Sequence, residues 1–217
     1  MHKNTLFMIK IIIADDHPVV RSGMVQIINH EVDMKVADEC ETGEELLSKV
    51  IDSDYDIAVL DIELPGRNGI EILKEIKKIK PYLPVLILSS FGEDRYGVRA
   101  IQAGANSYLS KDENKTVIIE AIRRIKGGKK FITPKLAEVL AMEIDKTSDK
   151  PLHENLSDRE LEIMRLIALG KAVSEIAENL SLSVNTVNTY RARVLAKMGM
   201  KSNTQLALYA LENGLLK

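Results

Sequence analysis

Three carboxylates, a hydroxyl and an amine stand out in the first half of the 217-residue chain: Asp15, Asp16, Asp61, Ser89 and Lys111. Asp15, Asp16, Asp61 and Ser89 follow or close short apolar runs rich in Ile, Val and Leu, the pattern of a buried strand, and Lys111 comes a short step after the fifth strand candidate. In an open parallel sheet, ligands bind in the crevice outside the carboxyl ends of the strands, so residues that follow strands carry most weight. Three carboxylates gathered in a partly dehydrated crevice repel one another; either their pKa values rise or a hard cation neutralises them. Magnesium is the natural cation, because it takes oxygen ligands, keeps some waters and is typically completed by a phosphate oxygen. A carboxylate beside such an ion can attack phosphorus while Lys111 and the Ser89 hydroxyl bind the transferred oxygens. Taken singly, an Asp-Asp pair after a strand is most often a turn, and a lone Lys is usually solvated. A turn does not require all five to fall at one end of one sheet.

Periodicity supplies the elements that must position these residues. Over residues 1–130, β-branched runs alternate with stretches of helical period, as in a parallel sheet covered by helices. Strands are predicted at 9–14, 34–40, 57–61, 85–89 and 107–109, and helices at 18–29, 43–53, 69–80, 94–103 and 115–126. Thr42 with Glu45 has capping-box spacing, and Asn114 is a suitable N-cap. A further helix is predicted at 134–144, then a polar linker at 145–155 that contains Pro151. From Leu156 the chain shows four helical patterns and no strand, at 158–169, 173–179, 184–198 and 203–211. The fold expected is a five-stranded, doubly wound parallel α/β sheet followed by a small all-α domain.

Composition narrows the function classes. With 45% hydrophobic and 29% charged residues, the chain is ordinary globular material, which excludes a disordered tail or a disulfide mini-protein. The single cysteine, Cys40, permits no internal disulfide, and no Cys/His cluster has zinc spacing, so a reducing cytoplasmic location is expected. The apolar stretch 8–14 is broken by Lys10 and meets Asp15 and Asp16, so neither a signal peptide nor a membrane span is expected. The net charge of −2 hides an asymmetry: residues 156–217 alone are net positive, with 8 basic and 6 acidic side chains. There, Arg191, Arg193, Lys197 and Lys201 form an acid-free run, a hint of a polyanionic partner that a solvated helix face explains equally well.

Residues 9–127 resemble the receiver domain of bacterial two-component response regulators, through I-I-I-A-D-D-H-P at 11–18, L-D-I-E-L-P-G-R-N-G at 60–69, L-S-S at 88–90 and Y-L-S-K-D at 108–112. Residues 152–217 resemble the helix-turn-helix domain of the NarL/FixJ (LuxR-type) branch, through L-S-D-R-E-L-E-I at 156–163 and S-E-I-A-E-N-L-S-L-S-V-N-T-V-N-T-Y-R at 174–191. Residues 128–151 then form a linker that carries a helix. The resemblance implies that Asp61 is the phosphoacceptor and that Asp15 and Asp16 are the acidic pair that holds Mg2+. Ser89 would be the switch hydroxyl, Tyr108 the switch aromatic and Lys111 the phosphate-binding cation. Glu63 would lend its backbone carbonyl to the metal, and its extra charge would make the phosphoryl lifetime atypical. Pro65 and Gly69 shape the loop, and His17 is read as structural.

Within the second domain the family pattern makes 173–179 the first helix of the motif and 184–198 the recognition helix. Helical spacing puts Val187, Tyr190, Val194 and Met198 on the inner face and Asn185, Asn188, Thr189, Ala192 and Ala196 on the outer. Asn188 and Thr189 are the base-reading candidates, since an amide bonds adenine bidentately and a Thr methyl meets the thymine methyl. Arg191, Arg193, Lys197 and the Thr186 hydroxyl are expected at phosphates. Where many members have T-V-K-x-H, this chain has T-V-N-T-Y at 186–190, so its target sequence cannot be copied from a relative. The last helix offers Leu206, Leu208, Tyr209 and Leu211, for which the family implies pairing of two chains and core packing is the rival explanation.

The function these features imply is a phosphorylation-controlled transcription regulator. Its expected partners are a sensor histidine kinase, double-stranded promoter DNA, a second copy of the chain and RNA polymerase, with no membrane partner. Enzymatic turnover beyond self-phosphorylation and autodephosphorylation is not expected. One alternative is a constitutive DNA-binding regulator with a degenerate receiver, which would bind its operator equally with and without a phosphate mimic. The other is a magnesium-dependent phosphatase of the haloacid-dehalogenase type, whose D-x-D signature is absent because position 63 is Glu.

Overall fold

The computed structural model describes residues 8–145 and 151–216, which form two compact units, Met1–Glu143 and Ile144–Lys217. Residues 146–150, part of the predicted linker, lie outside the described residues.

Five parallel strands organise the first unit: β1 (Ile9–Ala14), β2 (Met34–Cys40), β3 (Ile57–Leu60), β4 (Val85–Ser89) and β5 (Ser107–Ser110), in the order β2-β1-β3-β4-β5. The chain steps from β1 outward to β2 and then back past β1 to β3, so the strand order reverses between β1 and β3. That is where an open α/β sheet presents its crevice. Four helices make the crossovers, α1 (Pro18–Asn29), α2 (Gly43–Asp52), α3 (Gly69–Ile79) and α4 (Glu93–Gln102), and α5 (Lys115–Lys126) follows the last strand.

Alternation along the strands fills two cores. Ile11, Ile13, Ile57, Val59, Leu86 and Leu88 meet Met24 and Ile28 of α1 and Ile118, Ile122 and Ile125 of α5. Ile12, Ala14, Ala58, Leu60, Val85 and Ile87 meet Leu46, Val50, Ile72, Leu73, Ile76 and Tyr96 of α2, α3 and α4. Each such Leu or Ile contributes about 1.5–3 kcal/mol when buried. Because β1, β3 and β4 are covered on both faces, nearly all their residues are apolar, whereas the edge strand β2 alternates. Cys40 closes β2 inside this core, where burial pushes its thiol up to about 11.

The strand and helix bounds follow the predicted ones to within a residue, and the differences have local causes. β3 stops at Leu60, which leaves Asp61 as the first residue beyond the strand. β5 runs on to Ser110, which pairs with Ser89. The fourth helix begins at Glu93 rather than Asp94, with Gly92 as its N-cap.

The predicted helix after residue 130 is α6 (Pro134–Asp145). Thr133 caps it, accepting the Leu136 N–H on its side-chain oxygen at 3.0 Å. Leu136 is fully buried in the core of α2, α3 and α4.

The second unit holds a 3-10 turn at Leu152–Asn155 and four helices, α7 (Asp158–Ala168), α8 (Val173–Asn179), α9 (Val184–Met198) and α10 (Asn203–Glu212). The turn occupies residues predicted as linker; the His153 ring nitrogen lies 3.0 Å from the Tyr209 hydroxyl, which fixes the turn on α10. Leu161, Met164, Ile176, Val187, Val194, Met198 and Leu206 form the core. Three serines cap its helices: Ser157 in a full capping box with Glu160, Ser183 on Thr186 N–H and Ser202 on Gln205 N–H. Among the described residues, no helix is long and apolar enough to cross a membrane.

Gly69, the first residue of α3, packs its backbone directly on the segment after β3. A Cβ there would strike the Asp61 carbonyl oxygen and come within 2.7 Å of Ile62 Cα. Both neighbours are backbone and cannot swing away. Gly69→Ala is expected to lower stability by roughly 1–3 kcal/mol, read as an earlier denaturant midpoint at unchanged slope.

Candidate functional site

Register brings the two most buried carboxylates together. Ala14 pairs with Leu60, and the Asp61 N–H donates to the Ala14 carbonyl at 2.9 Å, so Asp15 and Asp61 leave their strands as neighbours. One strand further on, Ser89 ends β4 beside Ser110, and the Lys111 N–H donates to the Ser89 carbonyl at 2.8 Å. All five predicted residues therefore occupy the carboxyl rim of the sheet.

The Lys111 ammonium sits between Asp15 Oδ2 and Asp61 Oδ2, 2.7 Å from each. All three side chains are buried, with Lys111 at 8% exposure and Asp61 at 1%. Burial raises the Asp61 carboxyl above the usual carboxylate range; the Lys111 charge opposes this and the Asp15 carboxylate adds to it. Burial also works against the Lys111 ammonium, yet the two carboxylates outweigh it and its pKa is raised. Asp61 Oδ1 is buried with no hydrogen-bond partner in good geometry.

Around this pair, Asp15 Oδ1 accepts the His17 N–H at 2.8 Å, and His17 Nδ1 lies 2.7 Å from Asp16 Oδ1. Oxygens of Asp15, Asp16 and Asp61, with His17 Nδ1, all lie within 4.8 Å of one another. Three clustered carboxylate oxygens are the donor set that a hard divalent cation takes, and Asp61 also holds the buried Oδ1 described above. His17, read from the sequence as structural, is thus next to the acidic set and caps α1; the D-D-H-P order is the signal that could have placed it there. The Glu63 carboxylate is not among the clustered oxygens.

Ser89 and Tyr108 are both fully buried and meet at one residue, Phe91. Ser89 Oγ accepts the Phe91 N–H at 3.1 Å, and the Tyr108 hydroxyl donates to the Phe91 carbonyl at 2.9 Å. Nothing in the sequence marks Phe91, because its backbone rather than its side chain makes both bonds.

The second unit presents the predicted helix-turn-helix. Leu180 to Ser183 turns the chain between α8 and α9, with Ser181 in the left-handed region at φ 52°. On α9, Asn185, Asn188, Thr189, Ala192 and Ala196 are exposed, while Val187, Val194 and Met198 are buried and Tyr190 is half-buried. The Thr189 hydroxyl bonds the Asn185 carbonyl at 2.9 Å, so its methyl is what it can offer a base. The Thr186 hydroxyl lies 2.7 Å from Ser183 Oγ in the cap.

Of the predicted phosphate contacts, Arg193 is exposed and lies over the Tyr190 ring. Arg191 Nε donates to Asn203 Oδ1 at 2.8 Å. Lys197 Nζ donates to Glu160 Oε2 at 2.6 Å, a pairing that the acid-free run in the sequence hides because Glu160 comes from α7. On α10 the four apolar residues divide: Leu206 is buried, Tyr209 half-buried against His153, and Leu208 and Leu211 are exposed.

Residues 11–123 match the family described as "Response regulator receiver domain", and residues 154–210 match "Bacterial regulatory proteins, luxR family". The chain is 32% identical over 211 residues to "Response regulator GacA" of Pseudomonas aeruginosa, covering 96% of this chain and 98% of that protein. It is 36% identical over 214 residues to "Oxygen regulatory protein NreC" of Staphylococcus carnosus, covering 95% and 99%. Among solved structures it is similar to the response regulator RcsB bound to DNA, with a TM-score of 0.59 and 26% identity over 97% of this chain and 100% of that one. RcsB from Salmonella enterica bound to a promoter with the phosphomimetic BeF3− present matches with a TM-score of 0.59 and 25% identity, over 93% and 97%.

Two outcomes follow from the buried charges. Lys111→Ala leaves Asp15 and Asp61 facing each other without a cation and is expected to cost about 3 kcal/mol in denaturant unfolding at neutral pH without added metal. Adding Asp61→Asn should recover part of that loss. In the second unit, burial opposes the Glu160 carboxylate, but Lys197 and Ser157 outweigh it and hold its pKa below the usual 4.5. The stability Glu160 contributes is therefore present above pH 4.5 and lost as pH falls through its lowered folded pKa. Thermal melts of the full chain between pH 6 and 3 should show the helical unit losing stability there, with Glu160→Gln flattening the dependence.

Proposed function

The chain belongs to the response regulators that join a receiver domain to a LuxR-type DNA-binding domain, a family of phosphorylation-controlled transcription regulators, and from that premise we propose how its own residues divide the work. Asp61 accepts a phosphoryl group from a sensor histidine kinase, the α9 face reads promoter DNA, and the receiver, connector and DNA-binding parts are 9–127, 128–151 and 152–217. The observation that carries the reading is the buried Asp15–Lys111–Asp61 arrangement at the strand-order switch.

Asp61 Oδ1, which has no hydrogen-bond partner, attacks phosphorus as the bond to the kinase imidazole breaks, while Lys111 holds Oδ2. Asp15, Asp16 and Asp61, with the Glu63 backbone carbonyl, would hold Mg2+, which when bound neutralises charge on the phosphoryl oxygens. Lys111 keeps its proton because of its raised pKa and turns toward a phosphoryl oxygen. The Ser89 hydroxyl donates to another, which loosens its hold on Phe91, and Tyr108, bonded to the same residue, follows. Phosphoryl contacts need to favour one arrangement by only a few kcal/mol to shift the population. Autodephosphorylation returns the chain to its first state.

In the DNA-binding part, Asn188 and Thr189, with Asn185, read base edges. Arg193 meets phosphates directly, Arg191 does so with the nitrogens that Asn203 leaves over, and Lys197 and Thr186 do so by exchanging internal partners for phosphate. Leu208 and Leu211 on α10 pair two copies, which sets half-sites one helical turn, roughly 34 Å, or a multiple apart. RNA polymerase is the partner downstream of DNA binding.

Asp61→Asn should abolish Mg2+-dependent labelling by acetyl phosphate, and unchanged labelling would refute the assignment of Asp61. At fixed salt, beryllofluoride should tighten operator binding by the wild-type chain and leave Asp61→Asn unmoved. Equal affinity with and without it would favour constitutive binding. Asn188→Ala should cost about 1–3 kcal/mol and relax preference at one base pair, whereas Arg193→Ala should weaken all sequences and reduce the salt slope by about 1.

A further inference from the structure

Hydrogen bonds and a short stretch of backbone join the switch residues to α6. Ser89 Oγ and the Tyr108 hydroxyl both hold Phe91, and the next residue, Gly92, is the N-cap of α4. Glu93, first in α4, is buried, and its Oε2 accepts the Thr133 hydroxyl at 2.7 Å. The same Thr133 oxygen accepts the Leu136 N–H, and Leu136 seats on Gly97, where a Cβ would meet Leu136 Cδ1 at 2.5 Å. A buried carboxylate held by a neutral hydroxyl is weakly compensated compared with one held by a cation. Two residues thus separate a hydroxyl that responds to the phosphoryl group from a carboxylate that anchors the cap of another helix.

We propose that the Glu93–Thr133 hydrogen bond is a latch through which occupancy of the Asp61 site releases α6 from α4. The proposal rests on Asp61 being the phosphoacceptor. When the Ser89 hydroxyl turns to a phosphoryl oxygen, the Phe91–Gly92 segment shifts and the first turn of α4 moves with it. Glu93 then draws away from Thr133, and both the α6 cap and the Leu136 seat loosen. Linkage makes the effect reciprocal: whatever undocks α6 makes the Asp61 site easier to occupy. Glu93 and Thr133 act as positioning residues and touch no reacting atom.

The test measures hydrogen exchange at the Leu136 and Ala137 amides of the full chain, with and without Mg2+ and beryllofluoride, together with beryllofluoride affinity. In the wild type, saturation with beryllofluoride should speed exchange at these amides about 5-fold or more. Glu93→Ala should exchange fast in both conditions and bind beryllofluoride about 5-fold tighter or more, by the same linkage. Glu93→Gln keeps an acceptor for the Thr133 hydroxyl and should behave as wild type. Gly97→Ala unseats Leu136 by an independent route and should also tighten beryllofluoride, which separates the latch from any folding defect of Glu93→Ala. Beryllofluoride binding that leaves α6 exchange unchanged in the wild type, or unaltered affinity in both Glu93→Ala and Gly97→Ala, would overturn the latch alone. Failure of the wild type to bind beryllofluoride at all would overturn the Asp61 assignment and the latch with it.

Discussion

Two carboxylates from adjacent strands are buried within reach of one ammonium, and the rim of the sheet is organised around keeping them so. Asp15 and Asp61 would repel each other across a crevice with little water; Lys111, 2.7 Å from both, makes the arrangement tolerable. Burial keeps the Asp61 carboxyl poised above the usual range, and the same burial makes the site sensitive to any added charge. Positive charge added between the two acids relieves the repulsion and added negative charge restores it. Because electrostatic interactions strengthen where water is excluded, a modest change in charge at this rim can repack neighbouring polar contacts. The shared grip of Ser89 and Tyr108 on Phe91 is one such contact, and it lies directly before α4.

The helical unit spends its charges differently. Its net positive charge overstates the cations available to a polyanion, since Lys197 is held by Glu160 and Arg191 by Asn203. Glu160 at once completes the α7 capping box and holds a lysine of α9, so a single carboxylate ties helix start to helix packing. The outer face of α9 is left with amides, a methyl and two alanines, small enough for close approach to base edges. The exposed groups at the middle of this face are thus short side chains positioned by the fold rather than long flexible ones.

Most of the architecture was legible because the signals were strong and local. Continuous Ile, Val and Leu runs marked β1, β3 and β4, and Thr42 and Asn114 marked two helix starts. The positions of Asp15 and Asp61 on the rim followed from the same runs, and that of Lys111 from the shorter fifth strand. What sequence could not show were contacts made by backbone or between distant helices. Phe91 matters through its peptide, Glu93 through a buried bond to Thr133, and Lys197 through an acid 37 residues away. The 3-10 turn at Leu152–Asn155 was hidden because a polar, proline-containing stretch reads as linker, and the Tyr209 hydroxyl that organises it lies on the last helix.

Asp61 and Lys111 are 50 residues apart in the chain, and Asp15 is further still from Lys111, so their meeting depends on four strands, β1, β3, β4 and β5, adopting correct register. A partly assembled sheet has the acids but not the crevice. Chemistry at this rim is therefore conditional on the whole first unit having formed, and a nascent or damaged copy is silent to its signal. The regulator inspects its own integrity before it can be switched on, with no added machinery.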